Sequence, residues 1–149
     1  MAQPSGQSMR TGRFTTSQAA SAAPVATPNA PPVAGPYSAA VRAGDWIVLA
    51  GQVPLDPATG KLVDGDTSAQ CRQVLANITA VLGDCGVALA DVAKTTVFVT
   101  DLADFAAVNA IYAEAFGDHK PARSTVQVAA LPLGAKVEIE AWVFHPLGG

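Results

Sequence analysis

The residues best suited to chemistry lie near the start of one predicted strand and along another. Arg123 follows the short segment Pro121-Ala122, where a loop enters a strand. Glu138 and Glu140 alternate along the last strand, so both side chains point to one face of it. Guanidinium groups bind anions and carboxylates can accept protons. These residues are therefore the candidates for anion binding and proton transfer.

Two glycine-containing segments are further candidates, because glycine lets a backbone approach a ligand closely. They are Gly35-Pro36-Tyr37 and Ala50-Gly51-Gln52. Plainer interpretations stay open for every candidate. An arginine at a strand start is most often a surface charge, and a strand glutamate is usually solvated. Tyr37 can be a residue at the edge of the core. The side-chain amide of Gln52 can form hydrogen bonds with backbone groups. Spacing alone does not decide between these alternatives.

The charge distribution argues against a nucleic-acid partner. All 12 acidic residues follow residue 30, together with 7 of the 9 basic ones, so residues 31–149 carry a net charge of −5. The basic residues are scattered, whereas a nucleic-acid surface usually shows a basic stripe. No apolar stretch approaches the roughly 20 residues that span a bilayer. We therefore expect neither a nucleic-acid nor a membrane partner.

The first 30 residues differ in composition from the rest. They contain Arg10 and Arg13 but no acidic residue, and they are rich in Ser, Thr, Gln, Pro and Ala. Such a segment buries too little apolar surface to offset the entropy of ordering it. We predict a flexible leader over residues 1–30 and one domain over residues 31–149. The leader is interpreted as a passive extension of a cytoplasmic protein, with a mitochondrial transit peptide as the alternative.

Cysteine and histidine usage predicts neither a disulfide nor a metal site. Cys71 and Cys85 lie on one predicted helix, and 14 residues at 1.5 Å each separate them by about 21 Å. A disulfide requires Cα atoms within about 7 Å, so both should be free thiols in a reducing compartment. His119 and His145 lack companions at ligand spacing.

Hydrophobic periodicity predicts a two-layer α+β domain of about five or six strands, with two helices on one sheet face. The first helix starts at Asp66 or Thr67 and stops at Gly86. The second spans residues 104–116, and its inward residues are predicted to be Phe105, Val108, Ile111, Tyr112 and Ala115. Strands are predicted at residues 46–50, 94–100, 123–129 and 136–144. The first of these is continuously apolar and is predicted to be buried on both faces. In the last, Val137, Ile139, Ala141 and Val143 share one face, and Glu138, Glu140, Trp142 and Phe144 share the other.

Seven stretches occur in the order and spacing of a known family. They are Gly35-Pro36-Tyr37-Ser38, Gly51-Gln52-Val53-Pro54, Asn77-Ile78, residues 92–99, residues 104–109 with Tyr112 and Phe116, Pro121-Ala122-Arg123-Ser124, and residues 137–141. On these the chain resembles the RidA (YjgF-like) family of reactive-intermediate imine deaminases across nearly all of residues 28–145. The resemblance implies a chorismate-mutase-like fold, assembled as a homotrimer with ligand clefts between subunits.

The resemblance also implies a reaction. The substrate would be an imino or enamino acid such as 2-iminobutyrate, 2-iminopropionate or 2-aminoacrylate, released by pyridoxal-phosphate dehydratases and hydrolysed to a keto acid and ammonia without a cofactor. Arg123 would hold the carboxylate, and Glu138 would orient the water and accept a proton. Backbone groups near Gly51 and Thr125 would contact substrate.

Three further residues receive supporting roles from the resemblance. Tyr37 would form a pocket wall from the neighbouring chain, and Gln52 and Asn109 would support the site or the interface. The chain departs from many active members at Ala50, where they carry Ser, and at Thr125, where they carry Cys. Loss of the hydroxyl at Ala50 leaves open a second function, sensing of a keto acid without turnover. Endoribonuclease activity, also attached to the family, fits the net charge poorly.

Overall fold

The computed structural model describes residues 21–148. They form one mixed sheet of six strands and two α-helices, joined by short 3₁₀ turns. The elements are β1 (Ala23–Pro24), β2 (Ala40–Ala43), β3 (Trp46–Gln52), α1 (Thr67–Asp84), β4 (Val92–Val99), α2 (Phe105–Phe116), β5 (Ala122–Gln127) and β6 (Val137–Phe144).

The strand order in the sheet is β1-β2-β3-β6-β4-β5. Every pairing is antiparallel except that of β4 with β5, which α2 connects. A parallel pair needs such a crossover, because its connection must return to the starting edge. Both helices pack against each other, and α1 lies on β3 and β6. The predicted two-layer α+β fold is confirmed.

Helix α1 follows its sequence signals closely. The carboxylate of Asp66 accepts a hydrogen bond from the Ala69 amide at 2.9 Å and so caps the first turn. Gly86, just after the C-cap residue Cys85, has a φ of 74°, which glycine adopts without strain. The buried apolar residues of the helix are Cys71, Val74, Leu75, Ile78, Val81 and Leu82. The helix therefore begins and ends where capping predicts.

Helix α2 differs from its predicted inward face at two positions. Val108, Ile111, Tyr112 and Phe116 are buried, but Phe105 is 41% exposed and Ala115 is also exposed. The predictions for Phe105 and Ala115 were therefore wrong. The main contacts of α2 are with α1, so only part of its apolar stripe is covered and the ring of Phe105 remains partly exposed.

The two faces of the sheet have different environments. Residues Val137, Ile139, Ala141 and Val143 of β6 are fully buried beneath the helices, and the alternate residues point the other way, as predicted. Strand β3 also alternates, because Ile47 and Leu49 are buried but Trp46 is exposed. The predicted burial of this strand on both faces is therefore wrong for a single protomer, in which only one face of the sheet is covered. We call the uncovered side the open face.

The fold begins earlier than the predicted domain boundary at residue 30. Ala23 and Pro24 pair with Val41 and Arg42 of β2. The Asn29 amide and side chain both donate to the Asp84 carboxylate, at 2.9 and 2.5 Å. The C-terminal third of the predicted flexible leader is therefore tied to the sheet and to α1, through long-range contacts that local composition does not reveal. Residues 1–20 of that leader lie outside the described residues.

Cys71 is buried in the core and Cys85 is half-buried, and both are free thiols. Within residues 21–148 no group of three or more His, Cys, Asp or Glu side chains is arranged to hold a metal ion. Over the same residues, neither helix has the length and apolar character needed to cross a membrane.

Candidate active site

Arg123 lies at the second position of β5, opposite Thr95 of β4. Its side chain is half-buried, and Nη2 donates a hydrogen bond to Oδ1 of Asn109 on α2 at 2.6 Å. The acceptor is a neutral amide, so this bond orients the guanidinium without neutralising its charge. The guanidinium therefore keeps its positive charge and further donors for an anion.

One face of α2 holds this guanidinium in position. Phe105, Asn109 and Tyr112 follow the i, i+4, i+7 spacing that aligns side chains on a helix. The Arg123 Cζ atom lies 5.6 Å from the ring centroid of Phe105 and 4.8 Å from that of Tyr112. Both distances are within the range of cation–π attraction.

Contacts with Thr95 and Phe116 hold Tyr112 in place. Its hydroxyl shares a hydrogen bond of 2.7 Å with the buried Thr95 hydroxyl, and its ring stacks on Phe116. Burial raises the pKa of the Tyr112 phenol. The ring under the guanidinium is therefore neutral and fixed, which limits how far Arg123 can move.

Thr125 lies two residues after Arg123 and points to the same side of β5. Its Oγ1 atom is buried, and among residues 21–148 it has no hydrogen-bond partner. A buried hydroxyl without a partner is uncommon and calls for an explanation, such as a ligand or a second chain. The unpaired Thr125 hydroxyl and the Arg123 guanidinium therefore belong to the same strand, β5.

Glu138 and Gly51 meet on the neighbouring strands β6 and β3. Between the pairs Leu49–Ala141 and Gln52–Ile139 the strand β3 has one residue more than β6, which is a β-bulge. A Cβ atom added at Gly51 would lie 2.8 Å from Cδ of Glu138, so the glutamate side chain lies directly against the glycine backbone. The absence of a side chain at Gly51 therefore makes room for Glu138.

The surroundings of Glu138 raise the pKa of its carboxyl group. Burial raises its pKa above the ordinary value of 4.5, and the nearby negative charge of Glu140 raises it further. Both causes act in the same direction, because each disfavours the charged form. A carboxylate with a raised pKa is a better proton acceptor when it is ionised.

Glu140→Gln should move the pH dependence of activity. The substitution removes one of the two causes of the raised pKa, so the pKa of Glu138 falls and its ionised form persists to lower pH. We expect the acid limb of any pH profile that depends on ionised Glu138 to shift to lower pH, with little change on the plateau. Glu114→Gln, at an exposed position of α2, is the matched control. An unshifted limb would show that Glu138 does not control it.

The structure does not bring Arg123 and Glu138 together within one protomer. Arg123 is aligned with Thr95, whose hydroxyl contacts α2, so Arg123 points to the helix side. Glu138 is aligned with Phe98, three residues further along β4, and so points to the open face. The two candidate groups therefore extend from opposite faces of the sheet.

The remaining predicted residues fall into two groups. Asn109 contacts Arg123 directly, as described above. Tyr37 is 55% exposed and lies in the loop before β2, whereas Gln52 is buried at the end of β3. Within residues 21–148 of one protomer, neither Tyr37 nor Gln52 forms a hydrogen bond with Arg123.

Three contributors were missed by sequence reasoning. Phe105 and Tyr112 were predicted to face the core and also belong to the family-like stretches, but neither was assigned a role at the site. Their spacing to Asn109 on α2 could have identified a common face. The third is Asn77 on α1, whose Nδ2 atom donates to the carbonyls of Val53 and Leu55 at 3.2 and 2.8 Å. It thereby fixes the loop that follows Gly51.

Comparisons with known proteins agree with this fold. The profile of the family described as "Endoribonuclease L-PSP" matches residues 27–145. A RutC family protein of Pyrococcus horikoshii is 52% identical over 115 residues, covering 77% of this chain and 91% of that protein. The 2-iminobutanoate/2-iminopropanoate deaminase of Escherichia coli is 49% identical over 120 residues, covering 78% and 93%. The crystal structure of the YjgF gene product of E. coli is similar with a TM-score of 0.77 at 47% identity, covering 81% of this chain and 97% of that one.

These matches confirm the family that the sequence motifs indicated. The chain belongs to the RidA (YjgF-like) family, whose sequence profile carries the L-PSP description. Relatives at 49% identity carry the name of an imine deaminase, and others at similar identity are named only as RutC family proteins.

Proposed function

We propose that the protein hydrolyses 2-imino and 2-enamino acids, such as 2-iminobutyrate and 2-iminopropionate, to 2-keto acids and ammonia. The observation that carries the proposal is the oriented guanidinium of Arg123, which has a neutral hydrogen-bond partner and lies over two aromatic rings. The names of relatives at 49% identity support the same activity.

Recognition would depend on the one permanent charge of the substrate. A planar carboxylate matches the planar guanidinium of Arg123 through two parallel hydrogen bonds. Asn109 occupies Nη2 from the α2 side, which leaves donors directed elsewhere. The orphan hydroxyl of Thr125 and the backbone of β5 would provide further polar contacts.

The chemical step would use Glu138 as the proton acceptor. Water adds to the C=N carbon of the protonated imine while one of its protons passes to the Glu138 carboxylate. The protonated carboxyl group then returns a proton to the nitrogen of the amino alcohol, and ammonia leaves as the carbonyl forms. A positioned general base typically accelerates such a step about 10²–10⁴-fold. The protonated imine is already electrophilic, so the proposal requires no cofactor.

The complete site would be shared by neighbouring subunits of a homotrimer. Arg123 and Thr125 would come from one protomer, and Glu138, Gly51 and Tyr37 from the next. Two features support this arrangement: the opposite orientation of Arg123 and Glu138, and a cluster of exposed aromatic rings on the open face. In that cluster the ring of Trp46 lies 6.4 Å from Trp142 and 5.2 Å from Phe144, and all three expose at least 40% of their surface. Exposed apolar patches of this kind usually mark interaction surfaces.

The test is to add the purified protein to a threonine dehydratase reaction, in which a pyridoxal-phosphate enzyme releases the imine. We expect faster appearance of 2-ketobutyrate and ammonia than in the dehydratase reaction alone. A rate equal to spontaneous hydrolysis at all protein concentrations would contradict the proposal. The proposal includes a cytoplasmic location, with mitochondrial import directed by the N-terminal segment as the alternative.

One observation favours a second candidate function. Ala50, beside Gly51, has no hydroxyl to bind substrate or water, so the same cleft could bind a keto acid without turnover. Calorimetric binding of 2-ketobutyrate that requires Arg123, in a protein without deaminase activity, would identify this sensing function.

A further inference from the structure

A cavity of about 330 Å³ lies beside Arg123, between the end of α2 and the start of β5. Its apolar wall is formed by Tyr112, Ala113, Phe116 and Pro121, and its polar residues are Asn109, His119, Lys120 and Arg123. Pockets of 300 to 1,000 Å³ typically enclose ligands larger than a four-carbon acid. The cavity therefore offers space beyond that needed by 2-iminobutyrate.

The two charged residues that line this cavity, Lys120 and Arg123, are both basic. Arg123 and Lys120 contribute positive charge, and none of the lining residues in the described part of the chain is acidic. This contrasts with the net charge of −3 of the whole chain. An environment of this kind favours a ligand with more than one negative charge.

Local hydrogen bonds reduce the negative potential of the carbonyls at the end of α2 and hold the His119 ring in place. The last carbonyls of α2 are partly satisfied, because the Gly117 amide donates to Ala113 at 2.9 Å and the His119 amide donates to Phe116 at 3.3 Å. The His119 ring lies 2.7 Å from the Val92 carbonyl, which can only accept, so Nε2 carries a proton and the ring is fixed as a wall. The exposed Lys120 is thus the one lining cation besides Arg123 in the described residues that is free to turn toward a ligand.

We propose that this cavity receives the side chain of the substrate, and that Lys120 binds a second carboxylate there. The enzyme would then also accept dicarboxylic 2-imino acids, the class formed when the Cα–N bond of an acidic amino acid loses two electrons and two protons, one from each atom. This inference rests on the proposed function, because Arg123 holds the first carboxylate in both.

The test compares two substrates, 2-iminoglutarate and 2-iminobutyrate, each generated in situ by an amino-acid oxidase. We expect Lys120→Met to lower the ratio of their kcat/KM values about tenfold, because one charge-assisted contact is lost for the dicarboxylate alone. Lys120→Arg should retain the ratio. Lys61→Met, at an exposed lysine in the loop after β3, controls for the change in net charge. An unchanged ratio in Lys120→Met, with 2-iminobutyrate still hydrolysed, would overturn the inference and leave the proposed function intact.

A binding measurement keeps the inference testable without turnover. Calorimetry should show tighter binding of 2-ketoglutarate than of 2-ketobutyrate to the full-length protein, and Lys120→Met should remove most of that difference. The difference should also weaken with added salt, since exposed charges are screened. Equal affinities for both keto acids in the unmodified protein would overturn the inference even if neither imine were hydrolysed.

Discussion

Replacing Arg123 with alanine is expected to lower kcat/KM for 2-iminobutyrate by about 10³-fold, because two charged hydrogen bonds to the carboxylate are lost together. Arg123→Lys should recover only part of this loss. An ammonium is a point charge without the planar pair of donors, and its shorter reach changes the stacking on Tyr112 and Phe105. The measurement is the initial rate of 2-ketobutyrate formation over a range of imine concentrations.

The control for this experiment is Arg72→Ala, which removes an exposed arginine from α1 and should leave the rate unchanged. Thermal unfolding should be measured alongside, since Arg123 also contacts Asn109 and two rings. A variant that unfolds at nearly the normal temperature but has lost activity supports the assignment. Full activity in Arg123→Ala would remove the basis of the proposed mechanism.

The second large effect is expected at Glu138. Glu138→Gln keeps the shape of the side chain but removes the proton acceptor, so kcat should fall about 10²- to 10⁴-fold. The KM should change less, because the glutamate acts on water and the carboxylate of the substrate is bound elsewhere. Steady-state kinetics on the same imine would show this split.

Mixing the two defective chains tests whether the site is shared. If Arg123 and Glu138 of one site come from adjacent protomers, co-expression of Arg123→Ala and Glu138→Gln chains recreates intact sites. With random assembly in a ring, about a quarter of the sites would receive both native residues. Activity near that fraction of the unmodified protein is therefore expected. No recovery, in mixed oligomers verified by two affinity tags, would show that the two residues do not form a joint site.

Much of this fold follows from local sequence signals. Helix α1 could be bounded within a residue because Asp66 caps it, Gly86 follows its end and its apolar stripe has a single period. The two faces of β6 were also predictable, since strict alternation leaves one assignment for each side chain. Such elements depend on residues that are close together in the chain, so the sequence alone is enough to predict them.

Other elements depend on residues far along the chain. β1 has two residues, Ala23 and Pro24, and exists because β2 offers an edge to pair with. The exposure of Phe105 depends on which part of α2 packs against α1. Neither propensity nor periodicity contains that information, because both describe a segment without its tertiary partners.

The candidate site likewise combines features that the sequence predicts with features that only the complete fold reveals. The position of Arg123 was predictable from its loop and its motif, but its orientation toward α2 was not. That orientation follows from the parallel pairing of β5 with β4, which sets Arg123 beside Thr95. The same topology places Glu138 on the other face, so the separation of the two groups could be recognised only from the complete sheet.

The bulge in β3 has a consequence for the length of this strand. Before it, odd-numbered residues such as Ile47 and Leu49 face the helices, and after it the even-numbered Gln52 does so. The residues that face the helices therefore have odd numbers before the bulge and even numbers after it, because the bulge adds one extra residue to β3. Shortening the chain by one residue here would invert one half of the strand and carry Gly51 away from Glu138. Insertions and deletions in this segment should consequently be excluded from any functional variant.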